Sequence, residues 1–366
     1  MQLDWLELQG FRSYPQLEFR PDDGVNLLVG VNGAGKTNLL EAIAYLSTLR
    51  SFRKAPDDAL IATGEEEAVV RGGVGGPVSE HTIEVLLSRQ TRRKVLLDGK
   101  RPGRNAELRS RLRCVTFLPD DLELIKGSAG QRRDLLDDLA SQLRPSAAAD
   151  QSDFDRALRQ RNALLRNEGP LADTNALASF EQAIAASGAK VVAHRLATAE
   201  ALTPFLQASY GALGPNTVRW AYESSWAEPA ATEAALAEAL RATLEERRRR
   251  DMERRLTTAG PQRDDPRLYL DTRNARTHAS QGEQRSLVLA LRLAAFDLLA
   301  DEFDDPPVLL LDDVFSELDP VRAHAIVDRL PGAQAFLSSA RHDDVGDVPG
   351  TYWDVTANGK VVARGS

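Results

Sequence analysis

Three observations predict an α/β fold interrupted by a large, mainly helical insertion. An apolar strand pattern, Asn26-Leu27-Leu28-Val29, runs straight into the glycine-rich loop Gly30-Val31-Asn32-Gly33-Ala34-Gly35-Lys36-Thr37. A second apolar strand, Val308-Leu309-Leu310-Leu311, ends in Asp312 and Asp313, with most of the 366-residue chain between it and the loop. From about residue 121 to 256, period-two alternation gives way to Ala-, Leu-, Arg- and Glu-rich helical periodicity. The two halves of one phosphate-binding domain are therefore expected at 1–120 and 257–366, with a helical second lobe at 121–256. A chain of this length is expected to form two domains or one domain with a large insertion.

The first segment reads as β-rich. Met1-Gln2-Leu3-Asp4-Trp5-Leu6-Glu7-Leu8 alternates as a strand does and lacks the features of a signal peptide. Residues 38–46 have helical spacing and no breaker. Gly72-Gly73-Val74-Gly75-Gly76-Pro77 is expected as a turn or loop between strands, and 82–87 with 94–97 as a hairpin pair. In the second lobe, helices are expected at 154–166, 176–201 and 232–256, punctuated by Pro145, Gly169-Pro170, residues 211–215 and Pro229. The breakers exclude a long coiled coil. Residues 352–362 close the chain as a hairpin turning at Asn358-Gly359.

Forty-two per cent apolar residues suits a soluble globular protein, and no apolar run approaches the roughly 20 residues of a membrane span. Cys114 is the only cysteine, which excludes an internal disulfide and points to a reducing cytoplasm. It sits in an apolar run and reads as a small buried hydrophobe. The net charge of −8 argues against a nucleic-acid partner, but its distribution does not. Arg89, Arg92, Arg93, Lys94, Lys100, Arg101, Arg104, Arg109, Arg111 and Arg113 are opposed only by Asp98 and Glu107. That unbalanced segment could neutralise several phosphates and leaves DNA or RNA binding open. A second cluster, Arg247 to Arg250 with Arg254 and Arg255, is interleaved with acids and reads as a solvated helix face.

The glycine loop has the composition and context of a P-loop. Its glycines let backbone N–H groups converge on phosphate oxygens, and the following helix directs its positive end at them. Gly30, Val31, Asn32, Gly33, Ala34, Gly35, Lys36 and Thr37 are the candidate nucleotide cradle, with Lys36 supplying charge. Thr37 and Asp312 are the candidate Mg²⁺ ligands, since a carboxylate at the end of a buried strand needs a cationic partner. Asp313 stands where a water-activating carboxylate is expected, although a surface acid at a strand end is the alternative reading. Lys36, Asp312 and Asp313 are thus the candidate catalytic residues. Asp is one methylene shorter than Glu, which predicts slow hydrolysis suited to a switch. Ser280-Gln281-Gly282-Glu283 has capping-box spacing ahead of an apolar-faced helix.

Ser280-Gln281-Gly282-Glu283-Gln284-Arg285 resembles the signature motif of ABC-type ATPases of the SMC and DNA-repair subclass, and Ser316-Glu317-Leu318-Asp319 resembles their D-loop. More specifically, the chain resembles the RecF family of bacterial recombination mediators. The resemblance is carried by Leu6-Glu7-Leu8-Gln9-Gly10-Phe11-Arg12-Ser13-Tyr14, by Asn38-Leu39-Leu40-Glu41-Ala42-Ile43, and by Arg50-Ser51-Phe52-Arg53. Pro119-Asp120-Asp121-Leu122 with Gly127, Arg132-Arg133, and Gly260-Pro261-Gln262-Arg263-Asp264-Asp265 extend it.

The resemblance implies an SMC-like head with a short helical lobe and an ATP-driven homodimer. In that dimer Ser280 and Gly282 would face the γ-phosphate of the partner's ATP, and Arg12 joins the nucleotide-binding residues. It further implies a weak DNA-stimulated ATPase of recombinational gap repair that binds single-strand/duplex junctions. Such a protein works with RecO and RecR to load recombinase and supports replication and the SOS response. Three departures stand out. Gln281 replaces a glycine, Gln262 replaces a histidine, and Ser338, Ser339 and Ala340 occupy the place of a transporter's switch histidine, with His342 too far along to replace it. A transporter's nucleotide-binding subunit and a short-armed SMC-like chromosome organiser are the alternative readings. A small-molecule kinase would not need the signature helix, and a GTPase would carry an Asn-Lys-x-Asp motif that is absent.

Overall fold

The alternation of the first residues builds a strand whose inner face is Leu3, Leu6 and Leu8, all fully buried. This strand, β1 (Gln2–Phe11), pairs antiparallel with β2 (Tyr14–Phe19) and is followed by β3 (Val25–Val29) and helix α1 (Lys36–Thr48). Then come β4 (Glu67–Gly76), β5 (Ser79–Ser88), β6 (Lys94–Leu97), the short helix α2 (Ala106–Arg109) and β7 (Cys114–Phe117). An antiparallel sheet forms in the order β2-β1-β4-β5-β6. The computed structural model describes residues 1–366 apart from 77–78, 104–105, 229–231, 316–318, 331, 343–347 and 365–366. The chain divides into two units: Met1–Asp121 with Leu289–Ser366, and Leu122–Val288.

One expectation is overturned in this first segment. Residues 72–76 do not turn; they lie within β4, where 72–75 pair with both β1 and β5 and Gly76 with β5. A Cβ at Gly73 would stand 2.1 Å from the Trp5 indole Nε1, and one at Gly72 would stand 2.7 Å from Leu46 Cδ1. These glycines give clearance to neighbouring side chains, a role that composition alone does not distinguish from turning. Pro77, the last residue of the expected turn, lies outside the described residues.

The second unit begins with α3 (Glu123–Lys126), α4 (Ala129–Leu143), α5 (Pro145–Glu168) and α6 (Thr174–Gly211). Asp173 caps α6 by accepting the Asn175 N–H at 2.9 Å. The helix continues through Pro204, beyond its expected end, because Leu202, Leu206 and Tyr210 are buried and their packing outweighs the local penalty. β8 (Val218–Glu223) precedes α7 (Glu233–Arg254), whose N-cap is Thr232. β9 (Asp265–Leu270), β10 (Arg273–Asn274), α8 (Ala275–His278) and α9 (Gln281–Phe303) follow. Phe154, Ile184, Val192, Leu236, Leu240 and Leu244 centre this unit's apolar core.

The composition change at about residue 257 does not coincide with the unit boundary at 288/289, which falls inside α9. Residues after 257 cluster with the second unit because β9 pairs along its whole length with β8, in the order β10-β9-β8. Among the described residues, no helix is long and apolar enough to cross a membrane.

The last segment adds β11 (Val308–Asp312), α10 (Pro320–Val327), β12 (Ala335–Ser339), β13 (Thr351–Val355) and β14 (Val361–Ala363). These join β3 and β7 in a six-stranded sheet of order β14-β13-β3-β12-β11-β7, parallel except for the β13–β14 hairpin. One apolar cluster unites Leu6, Leu39, Ile43, Leu46, Val70, Val85, Leu310 and Phe336, so α1 is packed by both sheets of the first unit. Ser339 pairs with Val29 and Ser338 with Asp312, which brings the carboxyl ends of β3, β11 and β12 level. In a parallel sheet this is where ligands are received.

Candidate nucleotide-binding site

β3 ends at Val29, and the loop 30–35 turns back over the sheet. Gly30 passes so close to β13 that a Cβ would lie 2.2 Å from Val355 O. Gly33 and Gly35 adopt φ of 82° and 111°, the left-handed region that L side chains rarely enter. At Gly35 a Cβ would also meet Ser13 Oγ and Tyr14 Oη, each at 2.9 Å. The buried Tyr14 hydroxyl donates to Gly35 O at 3.0 Å and so holds the loop's exit. Its burial raises the phenol's pKa well above the ordinary value, keeping it a donor. α1 then begins with no side-chain cap and no acid in its first turn. Its opening N–H groups, together with the helix dipole, form an anion receptor.

Lys36 is buried, and its Nζ donates to Gly30 O at 2.6 Å and Val31 O at 3.2 Å. Burial lowers its pKa, while the Asp313 and Asp312 carboxylates oppose that shift. Thr37 Oγ1 lies 2.8 Å from Asp312 Oδ1, so the two halves of the split motif meet across the sheet ends. Asp312 is 7% exposed and also accepts from Ser338 Oγ at 2.7 Å. Asp313 has φ 51° and donates its N–H to the same Ser338 oxygen at 3.0 Å. Hard oxygen donors and one cation thus converge beside an uncapped helix start. This can bind an oxyanion and share a hard divalent cation with it.

The structure places the remaining expected residues as follows. Val31, Asn32 and Gly33 are exposed along the loop, and Ala34 is buried beneath it. Arg12 makes a two-point ion pair with the fully buried Glu41, at 2.8 and 3.0 Å, and reaches Ala59 O at 3.0 Å. In the second unit Ser280 and Gly282 are exposed at the start of α9. The capping box forms: Ser280 N–H donates to Glu283 Oε2 at 2.7 Å, and Glu283 N–H to Ser280 Oγ at 3.3 Å. Of the D-loop only Asp319 is described, and it pairs with Arg322; Ser316, Glu317 and Leu318 lie outside the described residues. His342 stacks on Tyr352 with ring centroids 4.2 Å apart.

The basic segment is less uniform than its sequence implies. Arg109 and Arg113 are buried, the latter over the Phe303 ring at 3.3 Å, and burial lowers its pKa. Arg93 is spent on Leu49 O and Asp57, and Arg89 on Glu65 O and Ile61 O. Arg92, Lys94, Lys100, Arg101 and Arg111 are exposed, while Arg104 lies outside the described residues. The second cluster corrects its expectation in part. Arg249 does make an i,i+4 pair with Glu253, but Arg248 reaches across to the buried Glu181 at 2.6 Å.

Sequence reasoning missed two roles. Glu41 holds Arg12 and Ser51, and Ser338 holds Asp312 and the Asp313 N–H. In the sequence Glu41 stands out only within a family-like segment, and Ser338 only as one of the residues in the switch histidine's place. Gln262, Asp264 and Asp265 of the motif 260–265 make contacts within the second unit. Asp264 accepts from Tyr222 and Trp226, each at 2.9 Å, and Asp265 receives Arg132 at 2.7 Å. Gln262, in the histidine's place, donates to Ala259 O at 2.9 Å.

Known proteins resemble this chain along nearly its whole length. Residues 2–352 match the family model for the RecF/RecN/SMC N terminal domain. The DNA replication and repair protein RecF of Streptomyces avermitilis is 39% identical over 367 residues, 97% of this chain and 98% of that protein. The protein of the same name from Acidothermus cellulolyticus is 39% identical over 94% of this chain. A solved structure of the recombination mediator protein RecF-ATPrS in the RecFOR pathway matches with TM-score 0.91 and 29% identity. It covers 99% of this chain and 98% of its own. An Smc head domain from Pyrococcus furiosus shares the fold, at TM-score 0.55 and 18% identity. With its P-loop and acidic strand reunited on an SMC-like ATPase fold, the chain belongs to the RecF family.

Proposed function

We propose that this chain is an ATP-dependent DNA-binding protein of recombinational gap repair, in which nucleotide controls pairing of two copies. The observation that carries the reading is the approach of Thr37 to Asp312 beside the uncapped start of α1. On this reading the first unit is an ATPase head and the second a mainly helical lobe. Lys36 leaves the loop carbonyls to meet phosphate oxygens, and the loop N–H groups orient them. Thr37 and Asp312 fit Mg²⁺ by donor chemistry. An ion held by these two side chains would share its remaining positions with phosphate oxygens and water. When bound, Mg²⁺ supplies charge neutralisation at the phosphates.

Asp313 would orient the attacking water, and its short side chain makes turnover slow. Ser280 and Gly282 are exposed at the start of α9, which supports a role for this helix on the ATP of a second copy. The likeness to structures of RecF in the RecFOR pathway supports RecO and RecR as partners, with recombinase loading as the output. Support for replication and the SOS response belongs to the same reading. Sedimentation with Mg²⁺ and ATP, with and without gapped duplex, tests it alongside hydrolysis. Wild type is expected to dimerise and to hydrolyse faster with DNA. Lys36→Ala is expected to lose about 1.5–3 kcal/mol of nucleotide affinity. Equal nucleotide affinity in the two proteins would remove the assignment of the loop.

A further inference from the structure

We propose that Ser338 is a positioning residue that sets the Asp312 and Asp313 groups of the nucleotide site together, through a single hydroxyl. The proposal rests on the reading of Thr37 and Asp312 as Mg²⁺ ligands. Ser338 is 3% exposed and stands opposite Asp312 in the β11–β12 register. A hydroxyl has one hydrogen to donate and two lone pairs to accept with. The Ser338 hydrogen goes to Asp312 Oδ1 at 2.7 Å, and its oxygen takes the Asp313 N–H at 3.0 Å. Both bonds therefore end on the two adjacent acids.

Each bond has a distinct consequence. The first fixes the rotation of the Asp312 carboxylate while the Thr37 hydroxyl lies 2.8 Å from the same oxygen. A carboxylate held in this way presents its ligating oxygens in one orientation. The second holds Asp313 at φ 51°, a left-handed conformation that costs energy in a residue with a Cβ. Asp313 N–H also reaches Ser338 O at 3.2 Å, so β12 grips this backbone from two atoms. The neighbouring serine marks the contrast. Successive strand residues face opposite ways, and Ser339 Oγ donates to Arg341 O at 2.8 Å, within its own loop. Of the two serines, Ser338 is the one turned to the acids.

The full chain tests this with Ser338→Ala, the volume-matched Ser338→Cys, and Ser338→Thr, which keeps the hydroxyl. Binding of a fluorescent non-hydrolysable ATP analogue would be measured across a Mg²⁺ titration and in EDTA, with thermal melting in parallel. Ser338→Ala and Ser338→Cys are expected to raise the Mg²⁺ half-saturation about tenfold or more, with EDTA binding and melting unchanged. Ser338→Thr is expected to restore the wild-type Mg²⁺ response. Wild-type Mg²⁺ dependence in Ser338→Ala overturns the proposal, as does an equal loss of affinity with and without Mg²⁺. A wild-type protein indifferent to Mg²⁺ instead removes the metal-site reading on which the proposal stands.

Discussion

Arg161 has no exposed surface, yet its guanidinium is matched by Glu181 at 2.9 Å, Asp251 at 2.8 Å and Thr257 Oγ1 at 2.8 Å. Arg248 supplies Glu181 with a second cation, and Thr258 supplies Asp251 with two further donors. Truncating one member of a buried ion pair usually costs about 3–5 kcal/mol, because the partner charge is left in a poor solvent. The second donors on both acids place Arg161→Ala at the lower end, about 3 kcal/mol. A denaturant titration following the helical unit would show it; a change under half that size would mean the network rearranges. In the first unit the same economy of partners appears in Glu41, which takes both Arg12 and Ser51. Neither carboxylate network can be read from sequence, since the partners lie far apart along the chain.

At the scale of elements, the start of α9 carries two kinds of information. Its capping box is local, with Ser280 and Glu283 exchanging hydrogen bonds as their spacing predicts. Those hydrogen bonds hold Glu283 below its ordinary carboxyl pKa, through the Ser280 N–H first. Its proposed role toward a second copy's nucleotide lies outside the chain itself. Ser280→Arg removes the cap and adds bulk at an exposed helix end. It is expected to cost about 1 kcal/mol of local stability, to leave ATP binding intact and to abolish ATP-dependent dimers in sedimentation. Loss of ATP binding by the monomer would instead make this helix end a site for its own subunit. The β4 glycines teach the opposite lesson. A string that reads as a turn runs as a paired strand, and glycine is needed at 72 and 73 because Trp5 and Leu46 occupy the space that side chains would fill.

For the whole molecule, charge distribution matters more than the net value of −8. Only part of the basic segment faces solvent, so Arg92, Lys94, Lys100 and Arg101, four of its exposed members among the described residues, define the test. Reversing all four to Glu is expected to lower the slope of log affinity against log salt by about 0.7–0.9 for each phosphate no longer neutralised. Thermal melting should hold, since these side chains are exposed; an unaltered slope would move the DNA surface elsewhere. Reversing Arg93 or Arg113 would confuse the result, because both are structural.

The P-loop, the acidic strand, the capping box and the long helices were legible in sequence because each depends on neighbours a few residues away. Glycine freedom, apolar periodicity and helix capping act at that range. Tertiary structure alone decided that Ser338 meets Asp312, that Arg12 meets Glu41, and that residues 257–288 cluster with the helical unit. Strand register and buried charge pairing join residues remote in the chain, and only the folded backbone sets which of them meet.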